Sequence, residues 1–532
     1  MAESVSSEGM NLVDPARFPA KQSRAFLWAC LALLCVNSFC MLYRYGQLPL
    51  APVLGDEVII NDPAVSLSRG LGLRALSFQD SAYGIDKLYA HFPPVYLFLE
   101  SLAFRGMGVS VYSLRLVTTF NTIVTTAVFL LLLWLLLRRR VIGFRAGVLT
   151  ACILATDASL IGLQRIARME STLEALALLG LMFVLLAATD AEPEGRRPAL
   201  LIFAAAMSSG CSVAVHPEAV TAILPTILLI LFAVPVTLRS KLLAMTVLVA
   251  TPATIWLGTY GAHWRQALDQ MSSIARYKSD APGMDGLFKG LMLTTRPGGN
   301  AVLHGLLLIA CMIALATTVL CAGADFGNAR ATDDHSSTVY RILRCFAVAA
   351  LLDLALLQWA IPASAARLQG MLPVFLISFA VALGEARSRW LTMAAVLWIS
   401  IQVGTLAAYF HAHQRDAAAN PPSRFQQAIE SVPRSYRIGA TADFWLDLQQ
   451  DNRPFAVFYD GFDGYDNWHA RDGNPFAQFD AVLIEGAQCS VGECVQYLNQ
   501  GRTRLDFAAG TDHVAVYVRK PSGKQDAKES TK

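Results

Sequence analysis

Two adjacent carboxylates, Asp56 and Glu57, follow Leu54 and Gly55 shortly after the first long apolar run. A general base needs a carboxylate at the edge of a low-dielectric cavity, where it takes a proton from an incoming hydroxyl. The pair has the type and place for that work, although a solvated loop end is the plainer alternative for any such motif. Downstream stand Asp80, Asp86, Lys87 and His91-Phe92-Pro93-Pro94-Val95-Tyr96, then Gly108-Val109-Ser110-Val111-Tyr112-Ser113-Leu114-Arg115-Leu116. Tandem prolines end one helix and start the next, which sets a rigid elbow. Asp157, Gln164, Arg165, Arg168 and Glu170 precede a later apolar run. Arginines there can hold a lipid phosphate bidentately as negative charge grows on it, or can anchor the chain at headgroups. Glu174 lies four residues after Glu170 and shares its helix face. His216, before Pro217, offers a pH-dependent cation or a structural helix end. Arg367 is the only charge between Pro362 and Gly370.

The elements that must position these groups are membrane helices. Of the 532 residues, 55% are hydrophobic and 16% charged, against roughly 25% charged in soluble proteins, and the mean hydropathy is +0.44. That excludes a soluble enzyme. A net charge of +3 gives no reason to expect nucleic acid. Apolar blocks recur from Arg24 to Phe410 and amount to about eleven spans of about 20 residues each. The blocks include Ala301–Ala322, Ile342–Ile361 and Leu372–Leu383. Basic residues mark the cytoplasmic ends of spans. Arg138 to Arg140, Arg196 with Arg197, Arg239 with Lys241, Arg341 with Arg344, and Arg387 with Arg389 all fall on one side if the N-terminus is cytoplasmic. The segments Tyr45–Ser110, Thr156–Glu170, Tyr260–Asn300, Pro362–Gly370 and the tail from His411 are then outside.

This gives a domain plan of residues 1–24 as a disordered cytoplasmic start, 25–410 as a membrane domain with a large outer loop at 44–111, 411–520 as a small α/β domain, and 521–532 as a frayed end. In the tail, helices are expected over Ser423–Ser431 and Cys494–Gln500, and strands over Arg437–Ala440, Ala481–Glu485 and His513–Arg519. Eight of the ten cysteines lie in or beside apolar runs. Cys489 and Cys494 stand in polar sequence without the second pair that zinc requires, and are expected to form a disulfide in an oxidising outer compartment. The aromatic and basic loop Tyr260–Asn300 suits either closure over a lipid-linked sugar or contact with anionic lipid. Asp353, in mid-span, is read as a helix-packing group.

The order of a first span, an Asp-Glu pair, a Pro-Pro-x-Tyr elbow and a Gly-Val-Ser-x-x-Ser-x-Arg-Leu run resembles the GT-C membrane glycosyltransferases. The branch is the phospholipid-carrier-dependent one that includes aminoarabinose transferases and protein O-mannosyltransferases. The resemblance covers roughly Ala25 to Gly384. It extends to Arg168-Met169-Glu170, with Glu where Asp is commoner, to His216 where lysine is usual, and to Arg367 before Pro373.

What the resemblance implies is transfer of a sugar from a polyprenyl-phosphate carrier to a hydroxyl acceptor (a glycan, lipid A or another lipid, or a protein) at the outer face of the cytoplasmic membrane. An inverting single displacement would use Asp56, or else Glu57, as base. Lys87, His91, Arg165, Arg168, His216 and Arg367 would hold the donor, with Glu170 orienting an arginine. No cofactor follows from the residues, and a divalent cation is left open because members of the wider class differ. Two rivals stand beside this reading. A lipid-linked-sugar flippase should show midplane polar groups and repeated halves. A non-catalytic envelope assembly protein should need its tail and not the acidic pair.

Overall fold

The computed structural model describes residues 20–47, 55–79, 84–139, 141–189, 196–279, 341–342, 344–349, 352, 380, 389–419, 423–458, 476–485, 498–509 and 512–520. Most of this is helix. α1 (Ala20–Leu42) leads to α2 (Gly55–Ser68) and α3 (Val95–Met107), then to α4 (Val111–Arg138), α5 (Phe144–Thr156), α6 (Ala158–Gln164) and α7 (Glu170–Ala188). α8 (Arg196–Val213), α9 (Ala219–Phe232), α10 (Leu238–Tyr260), α11 (Trp264–Ser279) and α12 (Arg389–Ala419) follow.

Among the described residues, five stretches have the length and composition to cross a bilayer: Gln22–Leu42, Val111–Arg138, Glu170–Ala188, Leu238–Ser272 and Ala395–Arg415. α5 and α9 are shorter apolar helices. The expected span Ala301–Ala322, and most of Ile342–Ile361 and Leu372–Leu383, lie outside the described residues.

α7 packs on α8, α4 and α9, while α1 packs on α4 and α5. The close fits use small residues, as apolar helices in lipid do. A Cβ at Gly180 would stand 2.5 Å from the Ser209 hydroxyl, and one at Gly210 would stand 2.8 Å from the Leu248 carbonyl oxygen.

The described residues between α1 and α4 include two packed helices. α2 and α3 pack on each other, and α2 is buried along its whole middle, from Glu57 to Ser66. The Gly-Val-Ser motif then builds the start of α4. Gly108 takes φ +74°, which suits glycine. Ser110 accepts from the Ser113 backbone N–H at 3.2 Å, and Ser113 accepts from that of Ser110 at 2.9 Å, a reciprocal cap. Part of the expected loop after Tyr260 is helix: α10 runs through a short 3-10 turn, Gly261–His263, into α11.

The tail folds as an α/β unit. α13 (Ser423–Glu430) precedes β1 (Ile438–Thr441), α14 (Trp445–Asp451), β2 (Phe455–Phe458), β3 (Ala481–Glu485), β4 (Arg502–Ala509) and β5 (Asp512–Arg519). The sheet order is β2-β1-β3-β5-β4, with β1 parallel to β2 and β3, and β5 antiparallel to β3 and β4. One face of this sheet has its own core of Phe458, Phe476, Phe479 and Tyr517. The other shares a continuous core with α2 and the membrane helices, through Phe425, Phe444 and Trp445.

Candidate functional site

Glu57 leaves the first turns of α2 toward Arg115, one turn into the capped start of α4. The two form a bidentate pair at 3.3 and 3.4 Å, with side chains 0% and 1% exposed. The same carboxylate accepts from the Ala167 backbone N–H at 2.6 Å. Asn61, one turn along α2, donates to the Ala167 carbonyl at 3.0 Å, and Thr118 donates to the Arg168 carbonyl at 3.0 Å. Three side chains from two helices thus fix the backbone on either side of Arg168. The Tyr96 hydroxyl meets Thr118 at 3.4 Å. Burial pushes the Tyr96 phenol well above its usual range, and the neighbouring charges of Glu100, Glu57 and Glu170 add to this against the Thr118 hydrogen bond. Tyr96 is therefore a neutral hydroxyl at the meeting point of three acids. Both carboxyl oxygens of Glu100 are buried without a hydrogen-bond partner. Burial, with the charge of Glu57, raises its pKa and favours the neutral acid.

Beyond this dry framework the side chains are less buried. Arg168 donates through Nε and Nη2 to Glu170 Oε1 at 3.0 and 2.7 Å, with 24% and 14% of the two side chains exposed. His216, at the end of α8, lies within electrostatic reach of Glu170. Its Nδ1 accepts from the Glu218 backbone N–H at 3.2 Å, which puts the proton of the neutral ring on Nε2. The His216 ring lies 5.5 Å from Phe92, whose ring is 4.8 Å from His91. Gln270 on α11 holds this segment from behind by accepting from the Ala90 N–H at 2.8 Å and donating to the Leu88 carbonyl at 2.6 Å. The Tyr260 hydroxyl donates to the Phe92 carbonyl at 3.3 Å. Lys87 is exposed in the turn just before it.

The expected residues therefore divide. Arg168, Glu170, His216 and His91 come together with the Glu57 framework. Arg165 turns elsewhere: it is 1% exposed and donates to the carbonyls of Cys40, Met41 and Tyr43, the unpaired end of α1. An arginine satisfying a helix C-terminus is a structural use of the charge. Glu174 accepts from Gln164 at 2.9 Å, and Asp157 caps α6 by accepting from the Leu160 N–H at 2.7 Å. Asp56 lies in the first turn of α2. Arg367, Cys489, Cys494 and Asp353 lie outside the described residues. Among the described residues no group of three His, Cys, Asp or Glu is arranged to hold a metal. Arg115 and Tyr96 belong to the motifs read from the sequence, but their roles emerge only once α2, α3 and α4 are packed. Asn61, Thr118 and Gln270 carry no signal of their own.

Residues 78–266 match the family described as dolichyl-phosphate-mannose-protein mannosyltransferase. Arg115, Arg168, Glu170 and His216 fall inside that segment, and the acidic pair precedes it. Among solved structures, the apo oligosaccharyltransferase of Archaeoglobus fulgidus is similar with a TM-score of 0.52 and 14% identity, over 93% of this chain and 74% of that one. Arabinofuranosyltransferase AftD from Mycobacteria gives 0.50 and 16%, over 93% of this chain and 40% of that one. ArnT from Cupriavidus metallidurans bound to undecaprenyl phosphate gives 0.46 and 13%, over 95% and 99%. No curated protein matches the chain. The similarity over residues 78–266 agrees with the resemblance drawn from the motifs, and the described helices are those of a multi-pass membrane protein.

Proposed function

We propose that this protein transfers a sugar from a polyprenyl-phosphate carrier to a hydroxyl acceptor by inverting single displacement. The observation that carries the reading is the partly open Arg168–Glu170 pair beside His216, fixed by a buried Glu57–Arg115 pair next in sequence to Asp56. Dolichyl phosphate is the carrier in the name of the matching family, and it supplies a leaving group of the charge Arg168 suits. Glu57 is committed to Arg115 and the Ala167 N–H, so the proton of the acceptor falls to Asp56. As the acceptor oxygen bonds to the anomeric carbon, the bond from that carbon to the phosphate oxygen breaks. The growing phosphate charge is met by Arg168, with His216, His91, Lys87 and Arg367 as further contacts. Arg165 belongs to the framework in this scheme, and Glu170 orients Arg168.

The protein is placed in the cytoplasmic membrane with about eleven spans, a cytoplasmic N-terminus and an outer tail closed by a Cys489–Cys494 disulfide. The basic loops support that orientation. The acceptor class is a glycan, a lipid or a protein. Purified protein in nanodiscs, given a series of polyprenyl-phosphate sugars with envelope extract as acceptor, should release polyprenyl phosphate and label one acceptor. Failure to consume any such donor would overturn the reading in favour of a flippase or an assembly protein.

A further inference from the structure

The tail reaches into the helix that carries the acidic pair. Asp62 lies on α2 about one and a half turns beyond Asp56 and Glu57, and is 0% exposed. Its Oδ1 accepts from Ser77 Oγ at 2.5 Å, Trp445 Nε1 at 2.7 Å and Gln449 Nε2 at 3.0 Å, and its Oδ2 accepts from the Ser77 N–H at 2.9 Å. Two of these four donors come from α14 of the tail, more than 380 residues away in sequence. The joint has further ties around it. The Val457 N–H donates to the Ser77 carbonyl at 2.7 Å, Arg69 donates to the Gln449 carbonyl at 3.2 Å, and Arg437 donates to Gln79 at 2.9 Å. Trp445 is fully buried in the core that α2 shares with the tail.

α2 is thus held from two sides. Glu57 and Asn61 bind it to the backbone around Arg168, and Asp62 binds it to the tail. Pro63 follows directly after Asp62, cannot donate a helical hydrogen bond and softens the helix there. A carboxylate buried in an apolar core is retained against a large desolvation cost only where its donors are fixed. Burial pushes the Asp62 carboxyl up, and the hydrogen bonds from Ser77, Trp445 and Gln449 oppose that.

We infer that the tail is a positioning element of the transfer site, and that Asp62 is the positioning residue through which Trp445 and Gln449 set the placement of α2. The inference rests on the proposed transfer reaction for its kinetic arm alone.

The test uses full-length protein in nanodiscs, with Asp62→Asn, Trp445→Phe and Gln449→Met compared with wild type by hydrogen exchange and by transfer kinetics. Asp62→Asn sets an NH₂ group against the Ser77 N–H. Trp445→Phe keeps the ring packing and removes one donor, so it serves if the first variant fails to fold. Amides of residues 55–68 and 165–169 should exchange roughly tenfold faster or more, with α7 and α8 unchanged. kcat should fall by a similar factor while KM for the donor stays within about twofold. Wild-type exchange in residues 55–68 in folded Trp445→Phe would overturn the inference, as would equal acceleration through α7 and α8, which marks general loosening. If the wild type consumes no donor, the functional reading fails while the exchange arm still decides the role of Asp62.

Discussion

Two arginine–glutamate pairs stand on either side of the Ala167–Arg168 backbone, and they differ in how much water they meet. Glu57–Arg115 is bidentate and closed off, with 0% and 1% of the side chains exposed, whereas Arg168–Glu170 keeps 24% and 14%. In the first pair the carboxylate also accepts from the Ala167 backbone N–H, and so the pair acts as framework. The second keeps part of its arginine exposed, with a histidine within electrostatic reach of its glutamate, and so suits an anionic ligand. Residue type alone does not separate the two pairs; burial does.

The comparison breaks most readily at Arg115. Arg115→Met leaves the Glu57 charge buried without its partner and should cost about 3–5 kcal/mol, read as a large fall in Tm. Arg168→Ala opens a pair that keeps some water contact, so it should lower Tm less than Arg115→Met does. Its effect should appear in function, as roughly tenfold or greater weakening of donor binding together with slower transfer. Equal losses of Tm in the two variants would mean that the open pair is framework as well.

A smaller effect sharpens the contrast between these sites and the tail. Burial raises the Asp447 carboxyl from 3.8 to about 6. The folded state therefore holds this proton to higher pH than the unfolded chain does. The group's contribution is complete below about 3.8 and is lost as pH rises through about 6. Asp447→Asn should flatten that part of the Tm profile between pH 4 and 7, while Arg168→Ala leaves it in place.

Much of this was legible beforehand. Helical spans follow from apolar length, and the strand over Ala481–Glu485 and the helix starting at Ser423 follow from local pattern. The strands Phe455–Phe458 and Arg502–Ala509 carry no such pattern. The first is a short, wholly buried apolar run, and the second mixes arginines into an edge strand, so neither shows clean alternation. The motifs pointed to the right neighbourhood because Ser110, Ser113 and the prolines build local turns. They could not distinguish Arg165, which serves the end of α1, from Arg168, three residues on, because that choice is made by the contact with Cys40 and Tyr43. The Asp62 joint had no signal at all, since its partners lie at opposite ends of the chain.

The account turns on the division of labour between two adjacent carboxylates, and a side-by-side assay of Asp56→Asn and Glu57→Gln tests it most directly. Each purified protein would be followed for Tm, donor binding and transfer from the same polyprenyl-phosphate sugar. Asp56→Asn should keep the wild-type Tm and bind donor, yet lose transfer by roughly 10²-fold or more, because the amide cannot take the acceptor proton. Glu57→Gln should lose Tm through its broken pair with Arg115 and retain more transfer than Asp56→Asn when assayed below its melting point. Wild-type transfer by Asp56→Asn, or its complete loss in a Glu57→Gln protein of unchanged Tm, would contradict the assignment of base and framework.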